Sequence, residues 1–181
     1  KADIGAVISA SHNPMEYNGI KFFNSKGFKL ADEIELEIEK YLDDMSLLNE
    51  YPTHENIGKR MKVTNPEEAY IEFLKSCVST DFKGMKVVLD TANGAAYKIA
   101  PEVFAQLGAE VVCIGCEPTG TNINANCGST HTKNLEAMVV KHKADLGLAY
   151  DGDADRLIAI DEMGQIIDGD KIMLICANDM K

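Results

Sequence analysis

From Lys86 onward the chain alternates between short strand-like runs and helical segments, and this alternation limits what it can fold into. Lys86 to Asp90 reads as a strand, Ala95 to Leu107 as a helix ended by Gly108, and Ala109 to Ile114 as a second strand. Asn134 to His142 is a further helix and Leu146 to Tyr150 a further strand. Such spacing implies right-handed crossovers and a mainly parallel sheet. Leu157 to Ile160 continues as a strand, Glu162 to Gln165 makes a hairpin turn, and Asp168-Gly169-Asp170 caps a last helix. The fold class is α/β, with mixed, mainly parallel sheets and flanking helices.

The first third is less regular. Ile4 to Ser9 is a short apolar run expected to be a buried strand, stopped by Asn13-Pro14. Ile20 to Phe23 resumes a strand, Asn24 to Gly27 turns it, and Phe28 to Leu30 is expected to return. Asp32 is the expected N-cap of a helix over Glu33 to Leu42, with Ile34, Ile38 and Leu42 on one face. Residues 44 to 64 have no clear period and read as a connector, and Asn65-Pro66 opens a helix to about Cys77.

Charge narrows the function classes. Eighteen basic against 29 acidic residues give a net charge of −11, which argues against nucleic acid and against anionic membrane surfaces as partners. No apolar stretch approaches the roughly 18 residues of a membrane span. The first residues do not read as a signal peptide, because Asp3 interrupts a very short apolar run. Five cysteines, an odd number without a secretory signal, suggest reduced thiols and a cytoplasmic location. Cys113 and Cys116 form a CxxC that could be extended with Cys127 and His131 to a zinc set. The plainer reading ends a strand at Cys113 and starts a loop at Cys116, where Pro118 and Gly120 prevent the helix that a redox CxxC opens.

Two segments carry the chemistry. Ser9-Ala10-Ser11-His12-Asn13-Pro14, followed by Asn18-Gly19-Ile20-Lys21, offers a hydroxyl on a tight loop with His12 and Lys21 as proton carriers nearby in sequence. Asp151-Gly152-Asp153-Ala154-Asp155-Arg156 follows a strand end and offers three carboxylates at alternating positions. Clustered carboxylates suit a hard divalent cation. A calcium EF-hand begins in a similar way, but its sixth position requires Gly and here is Arg156, and the flanks read as strands. A solvated acidic turn is the other reading, and the mutual repulsion of three acids without a cation speaks against it. Taken alone, Ser11 could simply end a strand, His12 could bond the loop backbone, and Lys21 could point to water. Asp90-Thr91-Ala92-Asn93-Gly94 reads as a strand-to-helix turn, with a structural role for Asn93 and Gly94.

Together these residues resemble a known family. Gly5 to Phe23 resembles the active-site loop of the α-D-phosphohexomutases, and Asp151 to Arg156 their magnesium loop. Asp90 to Ala95, Gly115-Cys116-Glu117-Pro118, Asn122-Ile123-Asn124 and Cys127-Gly128 resemble the bacterial phosphoglucosamine mutase branch. One departure is Ala154, where that branch more often has Gly; little effect is expected unless the backbone there needs a positive φ.

The resemblance implies phosphohexomutase domains with an incomplete first domain: residues 1–62 as the later part of domain one, 63–161 as domain two, and 162–181 as the start of domain three. It implies Ser11 as the phosphoserine, and Mg2+ held by Asp151, Asp153, Asp155 and an oxygen on Ser11. Arg156 would steady the phosphoryl group, and His12 and Lys21 would serve in proton transfer or phosphate contact. The implied activity interconverts glucosamine 6-phosphate and glucosamine 1-phosphate through a bisphosphate intermediate, for cell-wall precursors. A homo-oligomer with a glucosamine phosphate as its substrate is expected, with this chain inactive by itself. The alternatives are a phosphomannomutase or phosphoglucomutase and, for the chain in isolation, a non-catalytic metal-binding interaction domain.

Overall fold

The computed structural model describes residues 2–47 and 51–180, which fall into two compact units. One takes the chain up to Ile8 and Gly19–Asn65; the other takes Ser9–Asn18 and the chain from Pro66 onward. The Ser-His-Asn-Pro loop therefore packs with the later part of the chain.

In the first unit, β1 (Ile4–Ser9) and β2 (Gly19–Asn24) form a two-stranded sheet. The turn after β2 forms as expected, with Gly27 N donating to Asn24 O at 2.9 Å and Gly27 at φ +85°. The return is shorter than expected: Phe23 and Lys29 make one antiparallel bridge in place of a strand over Phe28 to Leu30. Helix α1 (Asp32–Asp43) is capped by Ala31, and no side chain bonds its first amides. Asp32 is instead the first helical residue, where its charge faces the positive end of the helix and pairs with Lys29 Nζ at 3.3 Å. Ile34 and Leu42 remain exposed.

In the second unit, α2 (Pro66–Ser76) starts at its proline, whose missing N–H costs nothing in a first turn. The sheet has the order β4-β3-β5-β6-β7. Strands β3 (Lys86–Asp90), β4 (Glu110–Ile114) and β5 (Leu146–Tyr150) are parallel, with Val88 opposite Val112 and Gly147. Strands β6 (Leu157–Asp161) and β7 (Ile166–Ile167) add antiparallel, so the sheet is mixed. The helix expected over Ala95 to Leu107 is divided into a 3-10 turn (Ala95–Tyr97) and α3 (Ile99–Gln106). Pro101 explains the division, because a proline tolerated in a first turn would break a helix begun at Ala95. Helices α4 (Lys133–His142) and α5 (Gly169–Asp179) complete the unit, and Asp168 Oδ1 caps α5 by accepting from Lys171 N at 3.0 Å.

Alternation along the strands divides the core in two. Val87, Leu89 and Leu148 pack with Ala96 and Ala100 on the α3 side; Val88, Ala149 and Ile160 pack with Leu135 and Val139 on the α4 side. Gly147 lets α4 sit close, since a Cβ there would lie 2.5 Å from Val139 Cγ2. Because β3, β4 and β5 are parallel, Asp90, Ile114 and Tyr150 end at one edge, where ligands bind in such sheets. No helix among the described residues is long and apolar enough to cross a membrane.

Candidate active site

Three loops leave that edge, residues 91–94, 115–128 and 151–156, and the buried carboxylate of Asp90 joins the first two. Asp90 is 0% exposed; Oδ1 accepts from Ala92 N at 3.0 Å and Oδ2 from Gly128 N at 2.8 Å. Burial raises its pKa above the ordinary value, and these two amides oppose the shift. Gly115 must be glycine on two counts: its φ is +59°, and a Cβ would lie 2.5 Å from Asp90 Oδ1. Its carbonyl accepts from Thr91 Oγ1 at 2.7 Å and from Asn93 N at 2.5 Å. Asn93 and Gly94 thus have the structural role expected from the sequence.

The serine loop docks on the acid loop. Gly152 N donates to Ser11 O at 3.0 Å, and Asn124 Nδ2 donates to Ser11 O and Asn13 O at 2.8 Å each. Ser9 Oγ donates to Asp153 Oδ2 at 3.1 Å and accepts from Ser11 N at 2.9 Å. Ser11 has φ +52°, uncommon for a residue with a side chain. Its Oγ lies 3.4 Å from His12 Nδ1.

Asp151, Asp153 and Asp155 each present an oxygen, and the three lie within 4.8 Å of one another. Asp151 is 1% exposed: Oδ1 accepts from Arg156 N at 3.3 Å, while Oδ2 has no hydrogen-bond donor among the described residues and lies 3.9 Å from Arg156 Nε. Burial raises the Asp151 pKa; the Arg156 amide opposes this, and the charges of Asp153 and Asp155 add to it. A buried carboxylate oxygen without a donor, facing two like charges, is what a cation site supplies before the cation binds. The residues present therefore fit a divalent metal. The Arg156 side chain is 55% exposed and also lies 3.9 Å from Asp155 Oδ1. Ala154 has φ +61°, so the condition set by its replacement of glycine is met.

Of the sequence-selected residues, Ser11, His12, Asp151, Asp153, Asp155 and Arg156 lie in the second unit. Lys21, half-buried on β2, lies in the first. Sequence reasoning did not single out the bonds of Asn124 and Asp90; a polar residue at a strand end gives no sign of which loop it will tie. Among the described residues no cluster of possible metal ligands includes Cys113, Cys116, Cys127 or His131. Burial, then the Asp90 charge, pushes the Cys127 thiol up to about 11, as suits an inert core thiol. An apolar cavity of about 550 Å³ between α2 and α3, lined by Leu74, Phe82, Val103 and Phe104, reaches Tyr150 and Asp153 but offers no cation for a phosphate.

Comparison with known proteins places the chain in a family. Residues 68–164 match the description phosphoglucomutase/phosphomannomutase, alpha/beta/alpha domain II, and residues 1–48 match domain I. Phosphoglucosamine mutase of Clostridioides difficile is 59% identical over 99% of the chain, and that of Clostridium acetobutylicum 56% identical over 100%. The chain spans 40% of the length of each. A phosphoglucomutase/phosphomannomutase family protein of Burkholderia thailandensis superimposes with TM-score 0.79 at 26% identity, over 99% of this chain and 38% of its own. A Thermus thermophilus structure titled putative phosphomannomutase shares the fold with TM-score 0.75 at 23% identity, over 99% of this chain and 41% of its own.

Proposed function

The chain belongs to the phosphoglucomutase/phosphomannomutase family, and on that premise we propose that it is part of a phosphoglucosamine mutase in which Ser11 carries the transferred phosphoryl group. The carrying observation is the bond from Gly152 N to Ser11 O, which seats the serine loop on the acid loop. The names of the relatives support glucosamine phosphate as the substrate.

In the transfer, the bond from phosphorus to Ser11 Oγ breaks and a bond from phosphorus to a hydroxyl of the sugar phosphate forms. The hydroxyl proton passes to a base, for which His12 and Lys21 are the candidates, and the departing Ser11 Oγ takes up a proton to become the free hydroxyl. The bisphosphate formed returns its other phosphate to Ser11. Asp151, Asp153, Asp155 and an oxygen of the phosphoserine would hold Mg2+, which supplies charge neutralisation on the transferring group. Arg156, with its exposed guanidinium, steadies phosphate oxygens. The domain limits 1–62, 63–161 and 162–181 belong to this reading, as do a cytoplasmic location and a homo-oligomer.

The test is made in the full-length parent. Phosphate should be found on Ser11 by peptide mass spectrometry, and Ser11→Ala should lose conversion of glucosamine 6-phosphate by at least about a thousandfold. Phosphate on Ser9 with full activity in Ser11→Ala would sink the assignment. Faster turnover of mannose or glucose phosphates would move the substrate to the other members of the family. The chain of 181 residues alone should show no turnover.

A further inference from the structure

We infer that Asn124 is a positioning residue for phosphoryl transfer at Ser11, acting by holding the carbonyl groups of Ser11 and Asn13, the residues on either side of His12. The inference rests on the reading of Ser11 above, and it starts from a conformational difficulty. Ser11 sits at φ +52°, where a Cβ crowds the backbone, so the loop does not hold this shape by itself. Its neighbours must impose it.

Asn124 is placed to do so. Its Nδ2 donates to Ser11 O and to Asn13 O, both at 2.8 Å, so the two amide hydrogens bracket the loop at His12. Both neighbours are carbonyl oxygens, which fixes the NH2 rather than the oxygen on this side. The Ser11 carbonyl takes its second bond from Gly152 N at 3.0 Å, so Asn124 and the acid loop grip the same atom.

The clamp is itself anchored. Asn124 is 7% exposed with φ +56°, and its backbone N–H donates to Ala92 O at 2.8 Å. Ala92 N donates to Asp90 Oδ1, at the carboxyl end of β3. A path of hydrogen bonds thus runs from the carboxyl end of β3 through Asn124 to the serine peptide. Transfer to and from Ser11 Oγ needs in-line placement, and small errors in it are expensive in rate.

Two substitutions separate the amide from the backbone. Asn124→Gly keeps the left-handed conformation and deletes the donor, and Asn124→Asp keeps the shape but turns an acceptor toward two carbonyls. In the chain of 181 residues, amide hydrogen exchange at Asn13 and Gly152 should speed up about tenfold in both variants, the scale of one net hydrogen bond, while Val88 and Ala149 in the core strands are unchanged. In the full-length parent, both variants should lower kcat by about 10- to 100-fold with KM within about twofold of the parent. Wild-type exchange in Asn124→Gly would show that only the left-handed turn matters and would overturn the proposal. So would a loss confined to KM, or unchanged kcat alongside normal wild-type transfer. A wild-type parent that never phosphorylates Ser11 would overturn the proposal together with the reading it rests on, even if the exchange result held.

Discussion

Gly94 and Gly152 meet backbone to backbone. A Cβ on Gly94 would overlap the Gly152 carbonyl oxygen and come within 2.6 Å of its Cα, and Ala95 N donates to that oxygen at 2.8 Å. On its other side, a Cβ on Gly152 would overlap Ser11 O and lie 2.7 Å from Ile123 Cδ1. Gly152 is thus closed in by the turn after β3 and by the serine loop. Gly152→Ala should destabilise the second unit by about 2–3 kcal/mol, because the nearest obstructing atom is the backbone oxygen of Ser11, which Gly152 N and Asn124 Nδ2 hold in place. Gly169→Ala is the control, since a Cβ there meets nothing within 4 Å. Denaturant unfolding checks this, and equal stability of the two variants would refute it.

Ala154 sits at φ +61° without a hydrogen-bonding side chain to favour that conformation. Ala154→Gly should relieve a cost of about 1–2 kcal/mol and give back about 0.4–1 kcal/mol through the freer unfolded chain. A net gain remains, read as a rise of about 1–4 °C in the melting temperature of the second unit. A fall would mean that the methyl group packs better than its backbone suggests.

Asp90 provides a pH dependence with a definite sign. Its carboxyl pKa is raised above 3.8 in the fold, chiefly by burial. The folded state therefore holds this proton more tightly than the unfolded state. The contribution of Asp90 is most favourable below 3.8 and is lost as pH rises through the raised value. Asp90→Asn cannot titrate, and it deprives either Ala92 N or Gly128 N of an acceptor at about 1–3 kcal/mol. The stability of wild type minus Asp90→Asn should shrink as pH rises from 3.8. Urea unfolding across that range measures it, and a difference that grows would contradict the direction of the shift.

The parts legible in the sequence are those set by local pattern. Strands β3 and β5 and the turns at Gly27 and Gly164 follow from periodicity and from glycine at positive φ. Asp151, Asp153 and Asp155 are close because alternate residues of one loop cannot be far apart. The split before α3 was present in Pro101 but hidden by the apolar period around it. The clamp of Asn124 on Ser11 spans 113 positions, and no local pattern records such a pairing. The position of Ser9–Asn18 in the second unit is illegible for the same reason.

The acid loop should respond to Mg2+ in a way that separates a cation site from a solvated turn. Asp151 Oδ2 is buried without a hydrogen-bond donor among the described residues, and Asp153 and Asp155 raise its pKa further. A bound cation reverses this repulsion, so Mg2+ should raise the thermal stability of the chain. The gain should approach about 1.4 kcal/mol at ten times the dissociation constant. Binding should be weak while Ser11 is unphosphorylated, since Mg2+ usually shares its carboxylates with a phosphate. Asp151→Asn should abolish the response without lowering the stability of the metal-free chain, because it removes a buried charge from between two others. Ser9→Ala should weaken the response about tenfold, because Ser9 Oγ, at 3.1 Å from Asp153 Oδ2, orients that ligand. Thermal melts at rising Mg2+ read all three. An Asp151→Asn variant that gains as much from Mg2+ as wild type would place the cation elsewhere, and a wild-type chain with no gain at high concentration would leave the acid loop a solvated turn.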